Sequence, residues 1–144
     1  MDDFSYYLTR QEIQDTLIRY AHALDSRQPE LFAQVFTTDA DLDYSSAGGI
    51  RGDRETLRAW LQEPMAKFEV WQHLLSNFII EIDGDEASTI TSCYNPLQGR
   101  NPDGSSYVLH VGCHYQDRLR NTPEGWRIYQ RKLVVDWIDP AVEE

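Results

Sequence analysis

Cysteine is scarce in this chain of 144 residues: Cys93 and Cys113 are the only two, and they form no CxxC arrangement. That excludes a disulfide framework and a thiolate metal site, and leaves both as small buried hydrophobes in strand-like segments. Positive charge is short as well. Lys and Arg total 13 against 24 Asp and Glu, a net charge of -11 with no basic cluster. Such a field repels phosphates and excludes duplex DNA or RNA as a partner. Residues 1–10 lack the basic start and apolar run of a signal peptide, and no stretch approaches the roughly 20 apolar residues that span a bilayer. The chain is expected to be soluble and cytoplasmic, without a membrane partner. It also has no GxGxxG, phosphate loop or GxSxG elbow, which removes support for nucleotide-dependent or serine-nucleophile chemistry. Its four histidines show no metal-ligating spacing beyond the loose His110/His114 pair, so neither a metal nor any other cofactor is expected.

What the chain does have is enough apolar and aromatic material, 41% and 12% of residues, to bury one continuous core, and residues 1–144 read as a single domain. Thr9 with Glu12 resembles a capping box, and Ile13, Leu17, Tyr20, Ala21 and Leu24 follow at helical spacing, predicting an amphipathic helix from Thr9. Pro29 suits the first turn of a second, short helix through Leu31, Phe32, Val35 and Phe36, predicting a helical hairpin. A short alternating stretch covers Ala40 to Ser45. A third helix is predicted from Asp53 to Met65. Four β-rich segments succeed it, His73–Ile82, Glu86–Leu97, Ser106–Leu119 and Trp126–Ile138, separated by strong turn signals such as Asp83-Gly84-Asp85. Helices first and strands afterwards predict an α+β domain, three helices packed on one face of a curved antiparallel sheet with a cavity at its wide end.

Asp25 is the most informative residue. It lies four residues beyond Ala21, itself four beyond Leu17, and so continues the stripe that faces the core. An acid there either caps a fraying helix end or meets a partner in the cavity. His73, at the opening of the first long strand, is the candidate partner. A carboxylate on one ring nitrogen fixes the imidazole tautomer and leaves the other nitrogen as a base for C–H deprotonation. Taken singly, His73 reads as structural, so the two residues carry weight only as a pair. Tyr20 and Tyr44 are phenols able to donate a hydrogen bond in the pocket, or else core residues with a polar end. On the third long strand Val108, His110, Gly112 and His114 share one face and Leu109, Val111, Cys113 and Tyr115 the other. One of these faces lines the pocket.

Several stretches together resemble the SnoaL-like branch of the nuclear transport factor 2-like superfamily: Tyr20-Ala21-His22-Ala23-Leu24-Asp25, Phe36-Thr37-Thr38-Asp39-Ala40, Gln72-His73-Leu74-Leu75-Ser76-Asn77 and Gly112-Cys113-His114-Tyr115-Gln116-Asp117. The resemblance runs from about Thr9 to Trp137 and implies a cone-shaped, cystatin-like barrel. It also implies cofactor-free lyase chemistry of the scytalone dehydratase and dehydrochlorinase kind, on a small hydrophobic cyclic substrate, with Asp25 and His73 as the catalytic dyad. Tyr20 and Tyr44 fall where such dehydratases place pocket tyrosines, and His110 falls near a pocket asparagine, making it a substrate-contact candidate. Leu97 stands where scytalone dehydratase has a second histidine, so those contacts do not carry over. The superfamily also holds ketosteroid isomerases, polyketide cyclases and non-catalytic binding modules, which remain the alternatives. A homo-oligomer, dimer or trimer, is implied too, with apolar area on Leu133, Val135 and Trp137.

Overall fold

The computed structural model describes residues 1–141. Helix α1 spans Asp3–Asp25, and Asp2 caps it by accepting the Ser5 N–H at 2.8 Å. The helix therefore begins well before the Thr9 that periodicity indicates. Its first turns carry Phe4, Tyr7 and Leu8 exposed, and the buried stripe starts only at Ile13, so a pattern that reports burial cannot see the extension. After Ser26 the chain makes only a 3₁₀ segment, Pro29–Gln34, in place of a second α-helix. Phe32 is its one buried residue, too short a stripe to hold further turns.

Strand β1 (Phe36–Asp43) and the two-residue β2 (Arg51–Gly52) lead into helix α2, Arg54–Lys67, capped by Asp53 through the Thr56 N–H. Leu57 and Leu61 are its buried residues. Then come β3 (Val70–Trp71), β4 (Leu74–Asp83), β5 (Glu86–Arg100), β6 (Ser106–Thr122) and β7 (Gly125–Asp139). The last four form an antiparallel meander. Gly84, at φ 60, turns the first hairpin, a backbone conformation that costs glycine little.

The sheet order is β2-β1-β7-β6-β5-β3, with β4 also paired to β5. It differs from the sequence expectation in two ways. The sheet is curved but unclosed, so it is no barrel. It is also mixed, because β1 runs parallel to β7, with Phe36 opposite Ile128 and Leu42 opposite Arg131. No hairpin joins those two strands, so no local turn signal specifies their relative direction. No helix among the described residues is long and apolar enough to cross a membrane.

Side-chain alternation decides which surface is inside. Leu109, Val111, Cys113 and Tyr115 of β6 face the cavity beneath the helices, and the even-numbered residues face outward. Cys93 and Cys113 sit opposite each other across β5 and β6, buried and unbridged. On β7, Leu133 and Val135 line the cavity, which corrects their expected place on an associating surface. Only Trp137 of that trio is well exposed, at 49%. It packs over Gly112, where an added Cβ would come within 1.9 Å of the indole nitrogen.

Under the cavity lies a fully buried ion pair. Arg131 donates to both Asp117 oxygens at 2.7 and 2.9 Å. Its guanidinium stacks between the rings of Tyr20 and Tyr115, 4.3 and 4.1 Å from their centres. Desolvating two charges is costly, and removing one partner strands the other in the core. Asp117→Asn is therefore expected to lower unfolding free energy by about 3–5 kcal/mol in urea titration, whereas the double apolar replacement Asp117→Leu/Arg131→Met loses much less. Equal losses in the two variants would contradict this account.

Candidate active site

The site is assembled where the end of α1 meets the break between β3 and β4. Trp71 is paired with Leu97 and Leu74 with Tyr94, one continuous register that the chain interrupts at Gln72 and His73. Gln72 N–H donates to the Pro96 carbonyl at 3.2 Å, and Pro96 has no N–H to return. Backbone groups alternate in direction along a strand, so the next N–H, that of His73, points away from β5.

Asp25, the last residue of α1, takes that N–H. Its Oδ2 accepts from the His73 backbone at 2.9 Å, and its Oδ1 lies 2.6 Å from His73 Nδ1. An ionised carboxylate only accepts, so the ring proton is assigned to Nδ1, leaving the Nε2 lone pair directed away from Asp25. The imidazole side chain is 2% exposed and the carboxylate 26%, a dry base held by a partly wetted acid. The ring sits between Tyr20, edge-on at 6.1 Å, and Trp71 at 6.0 Å.

Arg27 locks the two halves of this arrangement together. Its guanidinium donates to the carbonyls of Met65 and Phe68 and, at 3.1 Å, of Glu69. The turn after α1 is thereby tied to the end of α2 and the start of β3. A cation at the C-terminal end of α2 also suits the helix dipole.

His73 opens onto a cavity of about 590 Å³, walled by Leu24, Phe68, Leu97, Leu109, Val111 and Leu133 among others. This is the size and character of a small-molecule site. A second depression, about 490 Å³, lies over the outer face with Arg51, Glu81, Arg118 and Lys132 on its rim. Neither Asp25 nor His73 is among its lining residues, so the apolar cavity is the candidate.

Tyr20 and Tyr44 both line that cavity. Tyr44 donates to the Tyr20 hydroxyl oxygen at 2.7 Å, and Arg131 Nη1 lies 3.4 Å from the Tyr44 hydroxyl. Burial raises both phenols above their ordinary pKa, which keeps them neutral donors at neutral pH. For Arg131, burial works against the charge, but Asp117 and the phenols outweigh it and hold the guanidinium protonated. The chain of donors Arg131, Tyr44, Tyr20 leaves the Tyr20 proton for a ligand.

His110 falls elsewhere, contrary to its expected role as a substrate contact. It sits on the outward face of β6, stacked on Tyr94, with Nδ1 2.6 Å from the Tyr94 hydroxyl. The one-residue offset from Leu109 and Val111 puts it on the wrong side of the pleat. Sequence reasoning passed over Arg131 and Asp117. Asp117 extends the inward set Cys113 and Tyr115 by one more alternate position, and a charge in that set was the available signal.

The curved, unclosed α+β sheet with helices over its inner face is a fold of the nuclear transport factor 2-like type. Residues 5–132 match the SnoaL-like domain family, and the chain belongs to it. The Mycobacterium tuberculosis protein Rv2910c, itself uncharacterised, is 39% identical over 122 residues, 85% of this chain and 82% of that protein. A candidate scytalone dehydratase from Novosphingobium aromaticivorans superposes with a TM-score of 0.84 at 16% identity, covering 99% of this chain and 94% of its own. A hexachlorocyclohexane dehydrochlorinase, LinA type 2, superposes with a TM-score of 0.80 at 16% identity, covering 99% and 95%. Both share the fold.

Asp25→Ala leaves the His73 backbone N–H and ring N–H without their acceptor, and is expected to cost about 1–3 kcal/mol of stability. The downfield proton resonance of a carboxylate-bound imidazole N–H should vanish with it. A resonance that survives the substitution would assign the ring proton to another partner.

Proposed function

We propose that the chain is a cofactor-independent lyase that eliminates water, or a hydrogen halide, from a small hydrophobic cyclic substrate. The observation that carries this reading is the His73 ring, fixed at Nδ1 by Asp25 at 2.6 Å and set beside an apolar cavity. In the reaction His73 Nε2 takes a proton from carbon, and the C–H electron pair becomes the second bond of a new double bond. The leaving group on the neighbouring carbon departs with its own bonding pair. A departing hydroxide takes that proton back from the His73 imidazolium and leaves as water, which restores the neutral ring, whereas a halide leaves as the ion and the imidazolium gives its proton to solvent.

Asp25 stabilises the imidazolium formed in the first step, as a carboxylate does for a general-base histidine. Tyr20, backed by Tyr44 and Arg131, donates a hydrogen bond to the oxygen on which charge develops. The apolar residues around His73 lower the local dielectric and strengthen both interactions. Positioned base catalysis supplies about 10²–10⁴-fold, and holding the reacting carbon against Nε2 supplies more.

The test is a panel of cyclic β-hydroxy ketones and chlorinated cyclohexanes, with products identified by mass spectrometry. Elimination yields a product lighter by one water or one hydrogen chloride, while isomerisation leaves the mass unchanged and would replace this reading. His73→Ala and Asp25→Asn, checked for fold by circular dichroism, are each expected to lower turnover by about 10²–10⁴-fold. Turnover equal to that of the native chain would remove the pair from the mechanism.

A further inference from the structure

Two polar atoms beside His73 have no protein partner. The indole Nε1 of Trp71 and the amide Oδ1 of Asn95 are both closed to bulk water and make no hydrogen bond. Both residues line the candidate cavity. Their neighbours there are Phe68, Leu97 and Leu109, whose side chains offer nothing in exchange. Leaving a buried donor or acceptor unmet costs about 1–3 kcal/mol each, so such groups call for a specific explanation.

Their place in the sheet supplies it. Trp71 pairs with Leu97 across β3 and β5, and the same register brings Asn95 opposite His73. Trp71 and His73 are two residues apart and share a face, as do Leu97 and Asn95. Trp71 and Asn95 are thus diagonal cross-strand neighbours, a spacing of about 7–8 Å that long and aromatic side chains bridge. One is a donor only; the amide of the other turns about a soft torsion and presents oxygen or nitrogen.

We propose that Trp71 and Asn95 select the ligand of this cavity by sharing one hydroxyl group, so that the substrate is a hydroxylated cyclic molecule and not a halogenated hydrocarbon. A hydroxyl oxygen accepts from the indole N–H while its proton goes to the amide oxygen. A ketone meets only the first need and a protonated amine only the second. A hydrocarbon or organochlorine meets neither. This deepens the lyase reading by naming its substrate class, and rests on the same cavity. A site built to hydrogen-bond an oxygen discriminates strongly against analogues without one, because its own polar groups are then left unpaired.

Binding of three matched probes, 2-naphthol, naphthalene and 2-chloronaphthalene, separates the cases. The expected result is that the native chain binds 2-naphthol about tenfold or more tighter than either other probe, equivalent to about 1.4 kcal/mol. The Trp71 indole N–H resonance in a nitrogen-15 correlation spectrum should move downfield with 2-naphthol and not with naphthalene. Trp71→Phe and Asn95→Leu should each lose most of the preference while binding naphthalene as the native chain does, which also shows that the cavity is intact. Equal affinities for the three probes, no binding of any of them, or a preference that survives both substitutions would overturn the proposal. Should a variant fail to fold, the indole resonance of the native chain decides. None of the probes undergoes elimination, so these outcomes are independent of whether His73 acts as a base.

Discussion

The architecture of the site rests on one carboxylate meeting two N–H groups of a single residue. Asp25 accepts from both the backbone and the ring of His73, and each bond explains the other. The backbone bond exists because the strand along β5 breaks at Gln72 and His73, turning an N–H outward that must find an acceptor. The ring bond exists because the backbone bond fixes the approach of the carboxylate. A helix end, a strand break and an imidazole are thereby locked in one geometry, with Arg27 tying the flanking turns from outside. This is the preorganisation a general base needs, achieved with groups that also close the fold.

Beneath that contact the protein tolerates an expensive arrangement. A buried guanidinium and carboxylate are weak evidence for stability, because a well-packed apolar replacement is often as good. Their position accounts for them better. Arg131 is stacked against Tyr20 and reaches toward Tyr44, so the cation polarises the two phenols that meet the cavity, while Asp117 keeps the local charge balanced. The orphan atoms of Trp71 and Asn95 belong to the same economy of costs carried at the site and offset by the core.

Much of the fold was legible because its signals are local. The hairpin turns, the long alternating strands and the helical stripe from Ile13 to Leu24 each depend on residues a few positions apart. The readings that failed needed distant information. The exposed first turns of α1 leave no burial pattern, the 3₁₀ segment reflects how little Phe32 and its neighbours could bury, and the parallel pairing of β1 with β7 joins residues some 90 positions apart, as in Phe36 and Ile128. In the site, Asp25 and His73 stood out as an acid on a core stripe and a histidine at a strand start, and Tyr20 lay on the same stripe. His110 was misplaced for want of one fact, the inward parity of β6.

By itself the sequence determined the periods: 3.6 along α1 and 2 along each long strand, which sort side chains into two sets without saying which set is inside. Only the tertiary structure decided that Leu109, Val111 and Cys113 face the helices and His110 does not. It also decided that Asp25 reaches His73, that Arg131 finds Asp117, and that Trp71 and Asn95 are left without partners. The reason is that local propensity is set by neighbours along the chain, whereas facing and partnership are set by which surfaces the helices cover, and that depends on contacts between distant residues, 48 positions apart for Asp25 and His73.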